Sequence, residues 1–141
     1  PKETVATISN AMDVGDPSNF VRILELFDKE FNQVKSKLSG YTIDDEETLK
    51  TIERVEKDYG YVLDPHGAVA FVALEKYLAE NGGKGFFLET AHPVKFPDSV
   101  EKATGKSVEI PKSLEELMKQ EKFTTEINPQ YEELKGFLLK K

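Results

Sequence analysis

Gly67 to Leu74 (Gly-Ala-Val-Ala-Phe-Val-Ala-Leu) is the longest unbroken apolar run in the chain, and it constrains the fold more than any other feature. Continued through Tyr77 and Leu78, it reads as a helix apolar on nearly every side. Such a helix belongs in an interior, with neighbours on more than one face. It is far short of the ~20 apolar residues that span a bilayer, so no membrane partner is expected. The question is what surrounds it.

The flanking sequence alternates strand-prone and helix-prone segments. Val5–Ile8 is a short β-prone run, followed by a loop over Ser9–Ser18 in which Asp16-Pro17 marks a helix start. Phe20, Ile23, Leu24, Phe27, Phe31, Val34 and Leu38 then form one continuous helical stripe ended by Gly40. Tyr41–Ile43 reads as a second strand. Asp44-Asp45-Glu46-Glu47 opens a helix with Leu49, Ile52, Val55 and Tyr59 inward and Gly60 as its stop. Tyr61–Leu63 reads as a buried strand before the apolar helix, and Phe86–Leu88 as another strand after it. After Pro97 the chain turns charged and helical in pieces, over Val100–Ala103, Leu114–Met118 and Tyr131–Leu138.

Strand and helix in alternation imply crossover connections. The expected fold is therefore α/β, a mainly parallel sheet with helices on both faces. Residues 1–96 would be its sheet and helix core, and residues 97–141 a mostly helical end of the same domain. At 38% hydrophobic and 32% charged, the 141 residues suffice for one such core.

A net charge of -7 argues against a nucleic-acid partner, because phosphate binding needs a positive surface. With no cysteine, neither disulfides nor thiolate metal ligands are available, which fits a reducing, cytoplasmic compartment. No metal site is expected; the spacing of Asp13, Asp16 and Asn19 does not match a calcium loop. A chain that begins on Pro1 and is almost at once apolar reads as a piece of a longer protein. Its uncovered apolar surface would then favour self-association.

Ligands of open α/β sheets gather beyond the carboxyl ends of the strands. Three such ends carry more polar groups than a turn needs: Ser9-Asn10, Asp64-Pro65-His66-Gly67, and Glu89-Thr90-Ala91-His92-Pro93. Gly82-Gly83-Lys84-Gly85 is not a phosphate loop, because a helix precedes it and none follows; it is a turn.

The same segments carry a resemblance. Thr7-Ile8-Ser9-Asn10-Ala11-Met12-Asp13-Val14-Gly15-Asp16-Pro17-Ser18-Asn19-Phe20, Asp64-Pro65-His66-Gly67-Ala68-Val69-Ala70 and Thr90-Ala91-His92-Pro93-Val94-Lys95-Phe96 resemble, in order, runs of the threonine synthases of the bacterial and fungal type. These enzymes use pyridoxal 5'-phosphate (PLP) and have the tryptophan-synthase-β fold. The resemblance implies an incomplete PLP-enzyme large domain plus C-terminal helices. The parent would be a lyase of threonine biosynthesis that converts O-phospho-L-homoserine and water to L-threonine and phosphate.

It implies no catalytic residue in this chain, since the family's Schiff-base lysine and phosphate cradle are expected upstream, in the missing N-terminal part; alone, the chain is expected to be inactive. Lys95 does not match the Schiff-base motif and reads as a surface lysine.

The resemblance places Thr90 on the pyridine nitrogen of PLP, with Asp64, His66, Ala91 and His92 shaping the cofactor pocket. Thr90 also has the plain reading of a strand-end threonine, His92 that of a turn-fixing histidine, and Asp64 that of a helix cap. Ser9, Asn10, Asp13 and Asn19 form a polar loop that touches substrate or is closed by its own Asx turns. Two other readings are a self-standing, non-catalytic α/β binding module and part of another PLP lyase or deaminase of the same fold.

Overall fold

The computed structural model of the chain describes residues 3–10 and 13–140. Ala11 and Met12, within the first motif, lie outside the described residues, as do Pro1, Lys2 and Lys141. The described residues divide into two compact units, Pro1–Glu109 and Ile110–Lys141.

The first unit is built on α3 (Asp45–Tyr59), which packs against both α4 (Pro65–Asn81) and α5 (Pro97–Thr104). Each of the two longer helices is fixed at both ends by local chemistry. Asp44 caps α3 by accepting the Glu47 N–H at 2.8 Å, and three acidic residues in the first turn face the positive end of the helix. Gly60 closes it at φ 66°, a left-handed position that favours glycine. Asp64 and Pro65 open α4; Gly82 and Gly83, at φ 70° and 92°, close it and form the expected turn.

Ile52, Val55, Leu63 and Ala68 form the buried core, with Phe71, Phe87 and Ala103 packed against it. Thr48 and Thr51 are buried beside Ile52, their hydroxyls donating to the carbonyls of Asp44 and Glu47 at 2.7 and 2.8 Å. Tyr59, expected inward, is exposed. On the outer side Arg54 of α3 reaches across to Glu75 of α4 and lies over the Phe71 ring at 5.4 Å.

Three expectations are corrected. No strand exists among the described residues, so the chain is helical rather than an α/β fold with a parallel sheet. Tyr41–Ile43, Tyr61–Leu63 and Phe86–Leu88 are non-helical, but none lies beside another in a hydrogen-bonded ladder. Of Tyr61–Leu63, expected to be buried, Leu63 is buried but Tyr61 is exposed; in Phe86–Leu88 the side chains alternate, Phe87 turning onto Phe71, ring centroids 5.5 Å apart, while Phe86 (84% exposed) and Leu88 (68%) turn outward. Burial of alternate side chains on helices satisfies that pattern without a pairing partner.

The second correction concerns the stripe from Phe20 to Leu38. It is not one helix but α1 (Val21–Leu26) and α2 (Phe31–Lys37), after a 3-10 turn over Ser18–Phe20. Asp28 and Lys29 adopt φ 52° and 60°, which ends the right-handed helix despite the intact apolar spacing. Third, α4 is not interior on all sides. Pro65, Gly67, Ala68 and Val72 are buried, while Tyr77 is exposed.

The second unit holds α6 (Lys112–Met118) and α7 (Tyr131–Leu139), neither with a buried residue. Asn128 leads into α7, its main-chain and side-chain N–H groups donating to Glu133 at 2.9 and 2.8 Å. No described helix is long and apolar enough to cross a membrane.

Candidate functional site

The polar chemistry of the first unit concentrates at the N-terminus of α4. Asp64 is fully buried, and its Oδ1 accepts the His66 backbone N–H at 2.8 Å. The same oxygen lies 2.8 Å from His66 Nδ1. A carboxylate only accepts, so Nδ1 carries the hydrogen of this bond. The His66 ring meets Phe96 edge-on, centroids 5.1 Å apart, which ties the Asp64 turn to the end of the Thr90–Phe96 motif.

Glu89 completes the cluster. Its Oε1 accepts the Asp64 backbone N–H at 3.2 Å. Gly67 makes this possible: a Cβ there would stand 1.9 Å from Glu89 Oε2, so any side chain at 67 would occupy the place of the carboxyl group. Asp64 Oδ2, Glu89 Oε2 and His66 Nε2 are closed off from solvent, with no hydrogen-bond partner among the described residues.

The two carboxyl groups respond differently to this environment. Burial pushes the Glu89 carboxyl up, and the neighbouring Asp64 carboxyl adds to the effect, to about 8. Burial pushes Asp64 up as well, but the neighbouring Glu89 carboxyl and the hydrogen bonds from the backbone and ring of His66 outweigh it, leaving Asp64 below its ordinary value. Asp64 holds more donors and sits at the positive end of α4, so it keeps the charge.

The loop of the first motif reaches the same place. Thr7 donates its hydroxyl to Asp13 Oδ1 at 2.6 Å and its N–H to Oδ2 at 3.0 Å. These two bonds, hydroxyl first, hold the Asp13 carboxyl below its usual range, and His66 is near enough to add to the effect. Ile8 N–H donates to Asp45 at 3.3 Å at the start of α3. Asp13 is thus felt at His66, and the Asp64 turn is bonded to Glu89; among the described residues, Ser9 and Asn10 make no hydrogen bond to either.

The individual positions differ. Asp13 serves as the clasp of its own loop, and the Ser9 N–H closes on the Thr7 hydroxyl at 3.1 Å. Asn10 and Asn19 are exposed. Thr90 is exposed directly after the anchored Glu89, and Ala91 is half-buried. His92 is exposed and its Nδ1 accepts the Val94 N–H at 3.1 Å, capping the 3-10 turn Pro93–Lys95. Glu89 was not among the expected site residues. The signal for it was Gly67, which leaves the first turn of an otherwise bulky helix open to a neighbour.

The threonine synthase C-terminal family matches residues 67–138, from the glycine under Glu89 to the last turn of α7. The chain belongs to the threonine synthase family. Threonine synthase of Buchnera aphidicola from Acyrthosiphon pisum is 42% identical over 141 residues, all of this chain and 32% of that protein. The Escherichia coli threonine synthase is 47% identical over 116 residues, 82% of this chain and 26% of the enzyme.

The crystal structure of threonine synthase from Escherichia coli superposes with a TM-score of 0.80 at 40% identity, covering 98% of this chain and 32% of that one. The X-ray structure of PLP-bound threonine synthase from Brucella melitensis gives 0.64 at 28% identity, over 97% and 34%. The chain spans about a third of the length of the curated threonine synthases it matches most fully.

Proposed function

We propose that this chain is the C-terminal part of a PLP-dependent threonine synthase, a cytoplasmic enzyme of amino-acid biosynthesis that converts O-phospho-L-homoserine and water to L-threonine and phosphate. The observation that carries this reading is the family match over residues 67–138, which contains Gly67, Glu89 and Thr90. The chain contributes one wall of the cofactor pocket. PLP, when bound, supplies an electron sink for the carbon centre being deprotonated.

The residues present fit that group. Thr90 offers an exposed hydroxyl, and the residue before it is anchored on Asp64. A hydroxyl accepts or donates a hydrogen bond at a pyridine nitrogen yet brings no negative charge to hold a proton there. Asp64 and His66 fix the floor beside it, and Phe96 shields the imidazole edge. Outward-facing Phe86 and Leu88 provide apolar surface for the remainder of the enzyme to cover.

The test is an assay of the complete open reading frame. Purified with PLP, it should release phosphate from O-phosphohomoserine and form threonine in equal amounts, and removal of the cofactor should abolish both. A fully PLP-loaded protein that forms no threonine would overturn the assignment.

A further inference from the structure

We propose that Glu89 is a positioning residue: protonated, it donates its O–H to the Asp64 carboxylate and so pins the segment ending in Thr90 to the N-terminus of α4. The positioning role rests on the reading that Thr90 serves the cofactor.

Four observations converge on it. Asp64 is fully buried, and both it and Glu89 carry one solvent-closed oxygen without a partner. Both carboxyl groups sit at the first turn of α4, Asp64 as its cap and Glu89 over Gly67. One proton shared between them satisfies both orphaned oxygens; two carboxylates there would satisfy neither and would repel. Gly67 opens a space that the Glu89 carboxyl fills. The backbone bond from Asp64 N–H to Glu89 Oε1 supplies the second half of a two-point clamp between the α4 start and the Thr90 segment.

The titratable group facing Glu89 is Asp64; His66 in turn bonds Asp64, and Asp13 lies near His66. Asp64 takes the His66 donors on Oδ1, which leaves Oδ2 for the proton of Glu89. Above about pH 8 the Glu89 proton leaves, the clamp becomes two facing carboxylates, and Thr90 loses its fixed place.

The experiment uses the complete PLP-loaded enzyme and two variants. Infrared difference spectra between wild type and Glu89→Gln should show one protonated carboxylic-acid band at neutral pH, lost as pH rises through about 8. Glu89→Leu removes the donor and should lower kcat on the order of 10- to 100-fold, the scale of a small misplacement of a reacting group. Glu89→Gln, whose amide N–H donates in place of the acid, should restore most of that loss and remove the alkaline fall in kcat. If Glu89→Leu does not fold, this loss of the alkaline limb in Glu89→Gln decides the positioning role.

Absence of the acid band at neutral pH would overturn the shared proton. An unchanged alkaline limb in Glu89→Gln would overturn the clamp. Normal turnover in Thr90→Val would instead sink the Thr90 reading and the positioning role with it, while the acid band would remain.

Discussion

Helices α3 and α4 each begin on an aspartate whose carboxylate takes up a free backbone N–H, whereas α1 and α2 begin on Phe20 and Glu30 with no side-chain cap. The first pair encloses Ile52, Val55, Leu63 and Ala68; the second pair holds no fully buried residue. Yet α1 and α2 come from the longest helical stripe in the sequence. An apolar stripe states a demand for a neighbour, and it specifies a helix only where the neighbour is present. A cap is complete within four residues and needs nothing from the rest of the chain.

The contrast is sharpest in the core. Ile52→Ala in α3 should cost about 2–5 kcal/mol, because it deletes a fully buried side chain and leaves a cavity. Phe31→Ala in α2 removes a larger side chain that is 72% exposed, and should change stability by less than ~0.5 kcal/mol. Urea unfolding of the chain and both variants gives the two numbers. Equal losses would break the comparison.

Gly67→Ala should be next, at about 1–3 kcal/mol, since the new Cβ must displace the Glu89 carboxyl from its place. The loss should largely vanish in a Glu89→Ala background, where the space is already free; additive losses would remove Glu89 from the first turn of α4.

Asp44→Ala should cost about 1 kcal/mol through the lost cap of α3. Lys29→Gly, at φ 60°, should instead stabilise by about 0.5 kcal/mol, the left-handed relief slightly exceeding the entropy of the added glycine. A destabilised Lys29→Gly would mean that the break between α1 and α2 is held by the lysine side chain.

Stability should also depend on pH through Glu89. Its folded value of about 8 lies above the ordinary 4.5, so the folded state binds the extra proton between those values. The stabilising contribution is therefore complete below about pH 4.5 and is lost as pH rises through about 8. Asp64, lowered in the fold, acts in the opposite sense, its contribution lost only as pH falls through the lower value. Glu89→Gln should flatten the fall in Tm on the alkaline side.

What was legible in the sequence follows the same division. Asp44, Gly60, Asp64 and Gly82 marked the ends of α3 and α4 because each acts on its own turn. The break at Asp28-Lys29 was not legible, since lysine gives no sign of a left-handed backbone. The strands were misread because pairing is a long-range property: a short apolar run such as Phe86–Leu88 suits a strand, but the run alone supplies no ladder.

At the site, the polar turns at Asp64–Gly67 and Glu89–Pro93 were both singled out, and the bond from Asp64 N–H to Glu89 joins them. Glu89 stood in one of those turns but was not taken as a site residue, because nothing in its own sequence neighbourhood shows what its carboxyl group meets. Only the space over Gly67 reveals that its carboxyl group is tucked against α4.

The most direct test of the account lies at Thr90, in the complete enzyme with PLP bound. Thr90→Val keeps the shape and removes the hydroxyl. A lost hydrogen bond of about 0.5–1.5 kcal/mol corresponds to a roughly 2- to 12-fold fall in kcat if it is made mainly in the transition state. Cofactor occupancy and Tm should stay near wild type, KM should change less than kcat, and Thr90→Ser should recover most of the turnover. Wild-type turnover by a fully PLP-loaded Thr90→Val enzyme would contradict the account and return Thr90 to the surface of an anchored segment.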